Sequence, residues 1–252
     1  MLLLASAPPF LLYSVSGMET PLFTLLLLLG IICLDSAFRT RRHRWLSAHL
    51  AICVLLALCR PEGVLFYPVS LVILFLAAKA LPKDQRQDTL LSPLMRHTVL
   101  FALLMAAYEF WRIRYFSEYY PTPFLSKGAG TSSLLSTWLT NLRAYFLVQN
   151  HHFAPFGYYY AVLCVLALAG FSRAALSKSV PTLFTSGTAM VIVGTYAAIY
   201  LNFVDWMPGM RYWAPLIPLL LISAQPLATG RFAPSRSLVR ALASRSTGLV
   251  SL

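Results

Sequence analysis

An all-α fold, a polytopic bundle of membrane-spanning helices, is what the sequence predicts, and three observations carry the prediction. The 252 residues are 58% hydrophobic and only 11% charged, against roughly 25% charged in an ordinary soluble domain. Water-facing surface needs charge, and this chain has little to put there. The apolar residues fall in runs bounded by Gly, Pro and charge, several close to the ~20 residues that cross a bilayer as a helix. Lys and Arg concentrate in alternate connections between those runs, the pattern that orients helices in a membrane. A net charge of +12 in a soluble chain would point to nucleic acid. Between apolar runs it reads as topology, so the bilayer is the expected partner and no nucleic acid is expected.

Residues 1–16 are apolar, interrupted by Pro8-Pro9, and read as a partial first span. No basic n-region precedes them, so no cleavable signal is expected. Ser16-Gly17-Met18-Glu19-Thr20-Pro21 breaks the run, with Glu19 just ahead of a new helix. About seven spans follow, at 21–34, 45–59, 64–78, 97–111, 155–171, 181–201 and 212–228. Asp35 closes the first of these and is expected in a solvated loop at 35–44; Asp84 and Asp88 are read in the same way, in a polar connector at 79–96. Arg60-Pro61-Glu62-Gly63 is a turn between two short runs. The domain reading is one transmembrane unit over 1–228, with a long outer loop at 112–154, and a flexible basic tail at 229–252.

Orientation follows from the bases. Connections 35–44 and 79–96 hold four each, 172–179 holds two and the tail holds four, which leaves six of the 20 on the other side. The basic-rich side should be cytoplasmic, with the C-terminus. Strict alternation then puts Glu19, Arg60 to Glu62, the long loop and Asp205 to Arg211 together on the outer side. Within the long loop, 131–149 has the period of an amphipathic helix. Leu134, Leu135, Trp138, Leu139, Leu142, Tyr145 and Phe146 share a face, and Thr131, Ser132 and Ser133 offer N-caps. Two placements are open for it, in the plane of the membrane interface or packed on the bundle.

Acids are scarce, and charge at bilayer depth costs ~2.5–3.5 kcal/mol on insertion scales, so each has a partner or a task. Asp205-Trp206-Met207-Pro208-Gly209-Met210-Arg211-Tyr212 carries an acid, a base and two aromatics where a bare turn needs only Pro-Gly. Arg60 could pair with Glu62, and Arg211 with Asp205, as structural ion pairs. The same groups could serve a lipid-linked phosphate, because Arg and Lys hold phosphate oxygens and a carboxylate can act as general base on a hydroxyl. Trp206, Tyr212, Tyr119 and Tyr120 could stack on a sugar or anchor at the interface, and anchoring is the commoner role. Cys33, Cys53, Cys59 and Cys164 lie in or at the end of apolar runs without a CxxC pair and read as small hydrophobes. His151-His152 point apart on a helix or strand, so no metal site is expected. No nucleotide-binding motif occurs.

Four segments, in order, carry a resemblance: Ser16-Gly17-Met18-Glu19-Thr20-Pro21-Leu22, Arg60-Pro61-Glu62-Gly63, Tyr119-Tyr120-Pro121-Thr122-Pro123-Phe124 through Lys127, and Asp205 through Arg211. Over roughly 1–228 the chain resembles bacterial GT-C-fold integral membrane glycosyltransferases. It is most similar to the terminal arabinofuranosyltransferase-like group, which includes flagellar motor control proteins. The resemblance implies an inner-membrane, multi-pass transferase. It would use a polyprenyl-phosphate sugar donor and a cell-envelope glycan or lipid acceptor at the periplasmic face. Glu19, Arg60, Glu62, Lys127, Asp205 and Arg211 would line the cavity, with Lys127 and Arg211 on donor phosphate, Asp205 or Glu19 on sugar hydroxyls, and Trp206 and Tyr120 beside them. No cofactor is expected, with a divalent cation left open. Such enzymes generally place a catalytic Asp in the first outer loop, which this chain lacks. The chain is therefore expected to miss an N-terminal part that would carry the base. The alternative is a non-catalytic polytopic protein, a truncated paralogue with an assembly or transport-associated role.

Overall fold

The computed structural model describes residues 19–80, 88–117, 134–146, 154–177, 179–201 and 213–228. Among these residues every regular element is helical. Helices α1 (Thr20–Thr40), α2 (His43–Cys59), α3 (Phe66–Ala80), α4 (Asp88–Phe116), α5 (Leu134–Phe146), α6 (Ala154–Leu176), α7 (Val180–Tyr200) and α8 (Ile217–Ala228) are joined in places by 3-10 turns at Pro61–Leu65 and Ala214–Leu216. Three helices are long and apolar enough to cross a membrane: Thr20–Thr40, Gly157–Leu176 and Val180–Tyr200. His43–Cys59, Pro61–Ala77 and Ala214–Ala228 are apolar but shorter.

Local chemistry sets the helix ends. Pro21 and Pro181 occupy the first turns of α1 and α7, where a missing N–H costs nothing. α1 closes with Arg41 in the left-handed region at φ 56°, its N–H donating to the Ala37 carbonyl. α2 stops because Pro61 holds Arg60 extended, at φ −149° and ψ 139°.

Small residues let the helices approach. α8 runs along α6 and α7, and a Cβ placed on Gly170 of α6 would lie 2.3 Å from the Ser223 carbonyl oxygen and 2.6 Å from Ala224 Cα. Across the α7–α8 contact, Ser186 Oγ donates to the Ser223 carbonyl (3.2 Å), and Ser223 Oγ donates to that of Ser186 (3.4 Å). Contacts of this kind suit a lipid solvent, where apolar area alone cannot drive helices together. The main core joins Phe23, Leu27, Leu56, Phe66, Tyr196 and Leu216. A smaller one at the other end includes Leu34, Phe38 and Phe184, with the Phe38 and Phe184 rings stacked at 3.9 Å. Large apolar side chains also remain outside the core, among them Phe110, Leu103, Val162 and Val165. A bilayer would cover such a surface.

Three boundaries differ from the sequence reading. Asp35 is not in a solvated loop. α1 continues five residues past it, because Asp35 has partners that allow it inside a helix. It accepts from Arg39 Nε (2.6 Å) one turn on and from Thr185 Oγ1 (2.7 Å) of α7, while Arg39 Nη2 also donates to the Pro181 carbonyl (3.3 Å). The connector expected at 79–96 narrows, since α3 runs to Ala80 and α4 begins at Asp88. The outer loop also starts later than 112, because α4 continues to Phe116 with Arg112 Nη2 paired to Glu109 at 2.6 Å. Replacing Asp35 by alanine should remove its charge-assisted hydrogen bond from Thr185 of α7, together with the intrahelical pair that orients Arg39, and cost about 1.5–3 kcal/mol. Thermal unfolding in detergent would register it; an unchanged midpoint would deny the link a structural role.

α5 corresponds to the amphipathic segment. Asn141 is buried and its Nδ2 donates to the Leu201 carbonyl at the end of α7 (2.7 Å). Leu139 is 58% exposed and Leu142 also points outward. The polar residue therefore faces the protein and the leucines face away, as in a helix lying on a bilayer. The caps expected at 131–133 lie outside the described residues.

Candidate functional site

The chain's first two charged motifs meet at one end of the bundle. Glu19 precedes α1, Arg60 ends α2, and Glu62 sits in the following 3-10 turn. Arg60 Nε lies 3.1 Å from Glu62 Oε1 and 3.6 Å from Glu19 Oε1, so one guanidinium bridges two carboxylates. Its carbon also lies 5.2 Å from the centre of the Phe23 ring, a cation–π contact. Arg60 is 4% exposed and Glu62 15%, whereas Glu19 is 40% exposed.

Each position of Arg60-Pro61-Glu62-Gly63 has a local reason. Pro61 starts the 3-10 turn and extends Arg60. The Gly63 N–H donates to the Arg60 carbonyl (2.8 Å), folding the turn back onto α2. A Cβ on Gly63 would lie 2.1 Å from the Leu56 carbonyl oxygen, so only glycine allows this approach.

α7 completes the cluster with residues the sequence reading did not single out. Tyr196 O–H donates to the Glu62 carbonyl (3.4 Å) and Tyr200 O–H to Glu62 Oε1 (3.5 Å). Tyr196 also meets Phe23 edge-on at 5.9 Å. The available signal was the i, i+4 spacing of two tyrosines at the end of an otherwise apolar span. Tyr200 packs on Trp213, ring centres 6.3 Å apart. These two aromatics flank the 202–212 segment, so both ends of the chain that carries Asp205 and Arg211 start from this cluster.

Of the expected site residues, Glu19, Arg60 and Glu62 are brought together. Asp205, Trp206, Arg211, Lys127 and Tyr120 lie outside the described residues, as do Tyr119, Tyr212, His151 and His152. Among the described residues the cluster sets two carboxylates against one guanidinium. A phosphate would be repelled from it unless further cations stood nearby. Arg60 is buried between its own two carboxylates, Glu19 and Glu62. Glu19 is the most accessible group of the three. No group of three or more His, Cys, Asp or Glu that could hold a metal occurs among the described residues.

The fold and this cluster define a helical protein with helices of membrane length and a charged, aromatic-lined patch at one end. The chain matches no protein-family model, no curated protein and no solved structure.

Proposed function

We propose that this chain is a membrane glycosyltransferase, or the C-terminal part of one, that takes a sugar from a polyprenyl-phosphate donor at the periplasmic face of a bacterial inner membrane. In this reading the bundle has seven spans and the arginine-rich end is cytoplasmic. The observation that carries it is the convergence of Glu19, Arg60 and Glu62, from motifs 41 residues apart, beside Tyr200, which packs on Trp213. Glu19 is held for contact with an acceptor or sugar hydroxyl. Arg60 fixes the two glutamates, and Lys127 and Arg211 supply the cations that a donor phosphate needs. Trp206 and Tyr120 offer faces for a sugar. A base in a preceding outer loop, as the resemblance implies, would take the acceptor proton.

The test is transfer from a lipid-linked sugar in membranes. Asp205→Asn and Arg211→Ala are expected to abolish it in folded protein. Glu19→Gln, which weakens one charge-assisted hydrogen bond to a hydroxyl, should lower it by about 10-fold or more. Full activity in both of the first two variants would overturn the site.

One observation favours a second, non-catalytic reading: Arg60 is buried and paired with two carboxylates of its own chain. On that reading the cluster is a structural staple, and the wild-type protein transfers no sugar from any lipid-linked donor.

A further inference from the structure

The opposite end of the bundle holds a groove of about 360 Å³ between α2 and α4, lined by His43, Ser47, Pro93, Arg96, His97 and Leu100. Its size falls within the roughly 300–1,000 Å³ of small-molecule sites. The polar wall is built. His97 is held by two contacts, Nδ1 to the Pro93 carbonyl and Nε2 to Ser47 Oγ at 3.0 Å. Since a carbonyl only accepts, Nδ1 carries the proton. His43 and Arg96 are exposed at the rim, and His43 lies among exposed Arg41, Arg42 and Arg44 in sequence. None of these arginines pairs with a carboxylate among the described residues, in contrast to Arg39, Arg60 and Arg112.

The other wall is apolar and continues down α4. Leu100 lines the groove and, with Leu103 one turn on, is exposed along the same helix. On the other face of the first turn of α2, Trp45 has the Arg44 guanidinium 5.4 Å from its ring centre. Trp and Arg side by side are the usual markers of headgroup depth. A cationic rim above an apolar strip matches an amphiphile, with its anion at the rim and its chain along α4.

We propose that this groove binds the phosphate of an anionic glycerophospholipid. Basic pockets between membrane helices on the cytoplasmic side favour such headgroups. The assignment uses the orientation proposed above but not the transferase activity, and its readout is binding.

The experiment is thermal unfolding of the full chain in neutral detergent with added phosphatidylglycerol, phosphatidylcholine or inorganic phosphate. Phosphatidylglycerol at about a hundredfold excess over its Kd should raise the midpoint by roughly 5–10 °C, and phosphatidylcholine should not. The His43→Gln/Arg96→Gln variant, changed only at exposed positions, should keep the unliganded midpoint and lose the shift. Arg143→Gln, at the other end of the bundle, should keep it. An equal shift with inorganic phosphate, lost in the same double variant, would retain the phosphate site and assign it a soluble ligand. No shift with either, a shift undiminished in the double variant, or an equal loss in Arg143→Gln would overturn the proposal.

Discussion

Replacing Arg60 by methionine is expected to unfold the end of the bundle that holds Glu19 and Glu62 at a cost of about 3–5 kcal/mol, the usual result of removing one partner from a buried ion pair. Methionine keeps much of the volume and the Phe23 contact but leaves Glu62, 15% exposed, facing Glu19 without a cation. At about 2–4 °C per kcal/mol for a chain of this size, the midpoint should fall by on the order of 10 °C. A second substitution separates charge from packing. In Arg60→Met/Glu62→Met the uncompensated carboxylate is gone, and an apolar replacement of a buried pair is often neutral. Most of the loss should return. Equal instability in the single and double variants would mean that the guanidinium serves chiefly by its shape and hydrogen bonds.

Gly170→Leu is expected to be as damaging, through backbone separation. Even a Cβ would stand 2.3 Å from the Ser223 carbonyl oxygen, and no rotamer moves a main-chain atom aside. α8 must therefore shift away from α6, which also strains the two serine hydrogen bonds between α7 and α8. Overpacking typically costs about 1–3 kcal/mol, and the lost serine contacts would add about 0.5–1.5 kcal/mol each. Gly194, whose Cβ would meet nothing within 4 Å, is the control. Gly194→Leu at this open position should leave the midpoint nearly unchanged. Similar losses in both variants would mean that helix propensity, not contact, decides.

The helix list was legible because Gly, Pro and charge punctuate apolar runs wherever a chain leaves a bilayer. Pro61 and Pro181 mark boundaries within a residue or two. Asp35 misled for a physical reason: an acid ends an apolar run in sequence, but a helix carries it on when Arg39 and Thr185 satisfy both its oxygens. The pairing of Arg60 with Glu62 could be read from two positions of spacing. The approach of Glu19 could not, because it depends on α1 and α2 returning to the same level. Tyr196 and Tyr200 were hidden by the apolarity of the span that contains them. For α5 the sequence left two placements open. Asn141 decides its orientation, because one hydrogen bond to an α7 carbonyl fixes a helix whose leucines have a better solvent outside than inside.

The α1–α2 pair has a consequence for how the protein is made. Only Arg41 and Arg42 separate the two helices, and His49 of α2 bonds the Gly30 carbonyl of α1 at 3.0 Å. Arg41 sits at φ 56°, where glycine would be free of the roughly 1–2 kcal/mol that a side chain costs. On the membrane reading proposed above, a cation in so tight a bend would stay on the side of the ribosome while the helices enter lipid. The two would then leave the translocon together as a hairpin, its bend and the flanking Arg39 and Arg44 never having crossed. On this account α1 and α2 would enter the bilayer as one unit, against which the later helices are laid.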